Sequence, residues 1–165
     1  MLLVAAAIRL TSKGPALFRQ KRFGKDKQLF TVYKFRTMST KAPKNMPTNS
    51  FTNADSYITP LGGVLRKLSI DELPQLLNVI KGDMSLVGPR PPLPSEVATY
   101  EPHVMGKFSV RPGITGLWQI SGRSDLSWDS TVALDRHYVE NRGGHLDVEI
   151  LAGTLKAVVG GRGAY

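Results

Sequence analysis

Ser69-Ile70-Asp71-Glu72-Leu73-Pro74-Gln75-Leu76-Leu77-Asn78-Val79-Ile80-Lys81-Gly82-Asp83-Met84-Ser85-Leu86-Val87-Gly88-Pro89-Arg90-Pro91 is the stretch on which the fold reading turns. Ser69 followed three residues later by Glu72 matches a capping box, and Leu73, Leu76, Leu77 and Ile80 follow at helical spacing. A helix over 70–81 is expected. Pro74 restrains the residue before it, so the helix should start a residue or two late, and Gly82 should stop it. The run 88–94, Gly-Pro-Arg-Pro-Pro-Leu-Pro, is too rich in proline for regular structure.

Upstream, Thr59-Pro60 reads as an N-cap with proline at the first helical position, opening a helix over 60–68 with Leu61, Val64, Leu65 and Leu68 on one face. Before it, residues 39–58 form a long polar loop, and loops of this length are usually functional or disordered; it is expected to be a mobile cover. Ala16–Arg22 and Gln28–Phe35 read as two strands of an antiparallel hairpin around a Gly24–Lys27 turn. Met1–Ile8 is an apolar run far short of the roughly 20 residues a spanning helix needs. It is either a short buried or frayed helix or the tail of a helix dipping into a membrane, with the basic residues Arg9, Lys13 and Arg19 behind it. Downstream, a short helix is expected over Ser95–His103, strand and turn over 107–123, and amphipathic helices over Ser127–Glu140 and Leu146–Val159, parted by Gly143-Gly144. The fold class is α+β: a mostly helical single domain over 1–165, with a small N-terminal antiparallel hairpin and some helices whose apolar faces rest on a membrane surface.

The 165 residues contain no cysteine, which excludes disulfide scaffolds, zinc-thiolate sites, iron–sulfur clusters and cysteine nucleophiles. His103, His137 and His145 lack metal-protease spacing, and neither a P-loop, a strand-linked GxGxxG nor a GxSxG elbow is present. Twenty-two Lys and Arg against 13 Asp and Glu give a formal charge of +9, which calls for an anionic partner: nucleic acid, a membrane surface or a phosphorylated substrate. A nucleic-acid module would need a recognition helix or aromatic platforms among basic residues. Neither is visible, so no nucleic acid is expected; Trp118 and Trp128 read as core or interface anchors.

Two features carry chemistry. Asp71-Glu72 sits at a helix start, where backbone N–H groups attract phosphate and its metal complexes. A carboxylate there suits Mg²⁺ ligation or attack on phosphorus, with helix capping as the purely structural alternative. Arg36, Arg66, Arg90 and Arg111 stand at element boundaries, two of them beside prolines, and guanidinium groups on stiff backbone suit phosphate recognition.

Several segments together resemble the bacterial sugar transferases, also called monotopic phosphoglycosyl transferases. They are Ser12-Lys13-Gly14-Pro15-Ala16-Leu17-Phe18-Arg19-Gln20, Tyr33-Lys34-Phe35-Arg36-Thr37-Met38, Asp71-Glu72-Leu73-Pro74-Gln75-Leu76 through Arg90-Pro91, and Arg111-Pro112-Gly113-Ile114-Thr115-Gly116. The resemblance runs nearly end to end. It implies transfer of a hexose 1-phosphate from a UDP-sugar to undecaprenyl (polyprenyl) phosphate, with release of UMP, at the cytoplasmic face of the inner membrane and among its lipids. Mg²⁺ is the implied cofactor. Asp71 would be the nucleophile of a covalent aspartyl-phosphosugar, and Glu72 its partner in metal or proton handling. Lys34, Arg36, Arg66, Arg90 and Arg111 would bind phosphate, and Asp135 falls where the family carries an acidic residue. Residues 1–10 would be the remnant of a longer re-entrant membrane helix. That shortened start leaves a second reading, a catalytically silent membrane-surface scaffold in polysaccharide assembly; the intact Asp71-Glu72 pair argues against it. The sugar stays open, as does a homo-oligomeric state.

Overall fold

The computed structural model describes residues 1–43, 53–122 and 125–160. Helix α1 (Leu2–Thr11) leads into a hairpin of β1 (Leu17–Phe23) and β2 (Leu29–Phe35), in register Leu17↔Phe35 through Phe23↔Leu29. The hairpin matches the expected strands to within a residue, and its turn is a 3₁₀ turn over Lys25–Lys27. After α2 (Pro60–Lys67), a 3₁₀ segment Ile70–Gln75 passes into α3 (Leu76–Lys81) and a short strand β3 (Ser85–Val87). Then follow α4 (Pro94–Val97), a 3₁₀ stretch Pro102–Ser109, β4 (Gly113–Thr115), α5 (Leu117–Ser121), α6 (Trp128–Asn141) and α7 (Gly144–Val159). The architecture is α+β and mostly helical, as expected.

Local chemistry explains most of these elements. The Thr59 side chain accepts the Gly62 N–H at 3.0 Å and Pro60 opens α2. Gly62 leaves no room for a side chain, because a Cβ would lie 2.0 Å from the Thr37 carbonyl oxygen. Ser127 caps α6 by accepting the Ser130 N–H, and Gly82, at φ +83°, ends α3 in the left-handed conformation that glycine tolerates.

The structure corrects three expectations. Ser69 does not cap a helix: it sits at φ +54° and makes no side-chain cap bond. Pro74, without an N–H, holds the residues before it in 3₁₀ turns, so the α-helix begins only at Leu76 and Glu72 is freed from capping. The expected helix over 95–103 is a four-residue helix followed by a 3₁₀ stretch that starts at Pro102. The expected strand and turn over 107–123 is only the three-residue β4, followed by the helix α5; β4 pairs in parallel with β3, Ser85↔Gly113 and Val87↔Thr115, a long-range pairing too short to leave an alternating pattern. Of the two alternatives offered for Trp128, core or interface anchor, the core is excluded: it is half-exposed and packs on Tyr100 with ring centroids 5.2 Å apart. The middle of the expected cover over 39–58, residues 44–52, lies outside the described residues; its two ends are pinned side by side, Ser39 N–H to the Tyr57 carbonyl and Thr59 N–H to the Thr37 carbonyl.

The core is divided among the described residues. Ile8, Phe35 and Leu65 join α1, β2 and α2; Phe30, Val32 and Met84 lie under the hairpin; Val87, Tyr138 and Ile150 join β3, α6 and α7. α1 therefore packs through Val4, Ala5 and Ile8, while Leu2, Leu3 and Leu10 are each nearly nine-tenths exposed.

Candidate active site

The segment 71–80 is polarised in an unusual sense. Asp71, Gln75 and Asn78, spaced at helical intervals, are buried, whereas Leu73, Leu76 and Leu77 are about two-fifths exposed and Ile80 is 82 % exposed. Asn78 is the reason the segment docks polar face inward. Its side-chain amide donates to the Thr31 carbonyl (2.7 Å) and to Asp83 Oδ2 (3.2 Å), and its Oδ1 accepts the Tyr33 N–H (3.2 Å). An otherwise unpaired stretch of β2 backbone is thus satisfied by one fully buried side chain.

That docking presses Asp71 against the hairpin. Asp71 is 9 % exposed, and burial pushes its carboxyl pKa up to about 6, with Glu72 adding to the rise while Lys34, Arg66 and its own backbone N–H oppose it. Glu72 pairs with Lys34 across from β2, Nζ to Oε1 at 2.5 Å. Arg66 projects from α2, with Nε donating to Thr37 Oγ1 at 2.9 Å. Two carboxylates and two cations from three elements converge here, and one carboxylate is held where ionisation is disfavoured. A buried carboxylate flanked by cations is an arrangement that can serve either to hold a metal–phosphate complex or to attack an anionic electrophile.

The other sequence candidates stand elsewhere. Arg36 is buried at the end of β2, and its guanidinium donates to the carbonyls of Pro15 (2.6 Å), Ser12 (3.0 Å) and Gly14 (3.4 Å). It braces the turn between α1 and β1, and burial lowers its pKa. Arg90 and Asp135 belong to a second polar cluster. Arg90 Nη1 lies 3.4 Å from Glu96, which is also 3.6 Å from Arg22 Nη1. Asp135 is paired in the interior with Lys107, Nζ to Oδ2 at 2.6 Å; burial raises its pKa, against Lys107 and Arg90. Arg111 is exposed beside Pro112, whose carbonyl accepts the Ser85 N–H. Sequence reasoning missed Arg22, Glu96 and Lys107. Of these only Glu96 left a signal, as the third residue of a helix that opens at Pro94.

The comparisons with known proteins bear on the family of the chain. The family model for "Bacterial sugar transferase" matches residues 1–161. The chain is 40 % identical over 178 residues to the "Exopolysaccharide production protein ExoY" of Rhizobium meliloti (strain 1021), covering 99 % of this chain and 79 % of that one. It is 42 % identical over 166 residues to an "Undecaprenyl-phosphate galactose phosphotransferase" of Salmonella typhimurium, covering 92 % of this chain and 35 % of the relative. It is 41 % identical over 177 residues to an "Undecaprenyl-phosphate glucose phosphotransferase" of Komagataeibacter xylinus, covering 99 % and 33 %. The chain thus spans most of the first of these relatives and about a third of the other two. With the motifs, the architecture and the matched length in agreement, the chain belongs to the bacterial sugar transferase family.

Proposed function

We propose that this transferase moves a hexose 1-phosphate from a UDP-sugar to undecaprenyl phosphate, so starting assembly of an exopolysaccharide, capsule or O-antigen. The observation that carries the reading is Asp71: a buried carboxyl with a raised pKa, set between Lys34, Arg66 and Glu72. An ionised Asp71 oxygen attacks the phosphorus bonded to the sugar. The new Asp–O–P bond forms as the bond to UMP breaks, and UMP leaves with the electron pair. A phosphate oxygen of the polyprenyl acceptor then attacks the same phosphorus. The carboxylate is regenerated and the polyprenyl-diphosphate sugar departs. Two displacements replace one, and Lys34 and Arg66 are placed to hold phosphate oxygens in both.

Mg²⁺ fits the donor set if the substrate completes it. Asp71 and Glu72 offer adjacent hard oxygen donors, and the described residues contain no cluster of three or more metal-ligating side chains. Mg²⁺ commonly uses one or two carboxylates with phosphate oxygens and water. Bound there, it would neutralise charge on the diphosphate and ease the departure of UMP.

The acceptor reading draws on the exposed leucines. Leu73, Leu77 and Ile80 form an apolar surface that adjoins the dyad, with Lys81 and Arg19 beside it over the Tyr33 ring. This surface and the outer face of α1 are suited to rest on the cytoplasmic face of the inner membrane; no helix among the described residues is long and apolar enough to cross a membrane. Intact mass after acid quench tests the chemistry. Incubation with the correct UDP-sugar should add one hexosyl phosphate to the wild type and none to Asp71→Asn. Turnover with no adduct on Asp71 would overturn the two-step reading.

A further inference from the structure

The second polar cluster lies on the same face of the hairpin as the dyad. Phe18, Gln20 and Arg22 pair with Lys34, Val32 and Phe30, and alternation puts all six on one side of the hairpin. Lys34 meets Glu72 at one end, and Arg22 meets Glu96 at the other. Four residues of β2 separate the two ends, roughly 13 Å at the usual strand rise. Between them Val32 and Phe30 are buried against Met84, so the two polar groups stand at opposite rims of one apolar cluster.

The backbone around Arg90 is fastened from both sides. Gly88 N–H donates to the Thr115 carbonyl, Gly113 N–H to Pro89, Phe23 N–H to Pro92, and Arg22 Nη1 to Pro91. Residues 88, 89 and 91–93 are buried, while the Arg90 side chain is 37 % exposed. Only its head group has freedom; Glu96 is in ion-pair contact with it, and the buried Asp135, itself paired with Lys107, lies within electrostatic reach. One Glu96 oxygen faces Arg90 Nη1; the other accepts the Leu93 N–H and faces Arg22. The contact engages Arg90 through Nη1, which leaves its Nε edge to an incoming anion. Two guanidinium groups on one carboxylate also leave a net positive charge.

We propose that Glu96 is a positioning residue: it holds Arg90, and with it Arg22, in the orientation that receives a phosphate of the nucleotide donor. The inference rests on the donor reading given above. A bare cap would need only an acceptor for the Leu93 N–H, which an amide also supplies. The charge is needed only for the arginines.

The test uses the full chain in detergent, with UDP as the probe, and the variants Glu96→Gln, Arg90→Ala and both together. Glu96→Gln should weaken UDP binding and raise KM for the donor by about three- to tenfold, with kcat and melting temperature little changed. On the Arg90→Ala background, Glu96→Gln should have no further effect on UDP binding. Arg90→Lys leaves the cap untouched and should lose nearly as much affinity as Arg90→Ala, because an ammonium cannot rest on Glu96 and present a fork at once. The inference is overturned if Glu96→Gln binds UDP as well as the wild type, or more tightly. An equal loss with and without Arg90 overturns it too, as does wild-type affinity in Arg90→Lys. Failure of the wild type itself to bind UDP overturns the donor reading, and the inference with it.

Discussion

Burial raises the energy of the ionised form of Asp71 more than Lys34 and Arg66 lower it. Well below the ordinary value of 3.8 the carboxyl is protonated in both the folded and unfolded chain, and the stability due to its raised pKa is fully present. Between the ordinary value of 3.8 and the folded value of about 6 the unfolded chain loses its proton first, and that stability drains away as pH rises. Above it, the folded protein carries a buried charge at a cost of about 2–3 kcal/mol. Asp71→Asn should therefore melt at a higher temperature than the wild type at pH 7.5, with the difference vanishing well below the ordinary value of 3.8. Its activity should fall by at least about 10³-fold. A variant no more stable at pH 7.5 than the wild type would refute the burial argument. Arg36 belongs to the same scale with the opposite prediction. Replacing it by Leu leaves the carbonyls of Ser12, Gly14 and Pro15 without their donor, and should cost about 2–4 kcal/mol in chemical denaturation. Asp71 was legible in the sequence because a carboxylate pair before a helix is a local signal. The brace made by Arg36 was not, since a strand-end arginine looks the same whether it faces phosphate or three carbonyls.

At the scale of elements, the decisive feature is the 3₁₀ segment Ile70–Gln75 running into α3. Its leucines promise a helix buried by its apolar face, yet Asn78 commits the polar face to the hairpin instead. Asn78→Ala should cost roughly 2–4 kcal/mol, since it strands the Thr31 carbonyl and the Tyr33 N–H, and urea denaturation will measure it. A loss below about 0.5 kcal/mol would show that docking does not depend on that side chain. The helices α2, α6 and α7 and the hairpin were readable because caps, proline and period act within one element. The β3–β4 pair and the 3₁₀ start were not. The first joins two three-residue segments far apart in the chain, and the second turns on Ser69 adopting a left-handed conformation that no local pattern announces.

Across the whole molecule, apolar side chains divide between small internal clusters and an outer surface. Leu2, Leu3 and Leu10 of α1 and Leu73, Leu77 and Ile80 near the dyad are exposed. If these surfaces meet lipid and not core, a Leu77→Ser/Ile80→Ser variant should keep its melting temperature in detergent within about 2 °C while losing affinity for anionic vesicles several-fold. A large drop in melting temperature would show that the face is structural. The end-to-end motifs made the family legible before any coordinates. The partition of charges between two clusters on one hairpin face emerged only from the fold, because it depends on register and not on spacing in the chain. The central claim is that Asp71 carries a sugar phosphate from a nucleotide to a polyprenyl phosphate. The most direct test is UMP release from a panel of UDP-sugars, with Mg²⁺ and undecaprenyl phosphate in detergent, for the wild type beside Asp71→Asn. The account predicts release with a preferred sugar in the wild type and none in the variant; release undiminished in Asp71→Asn would contradict it.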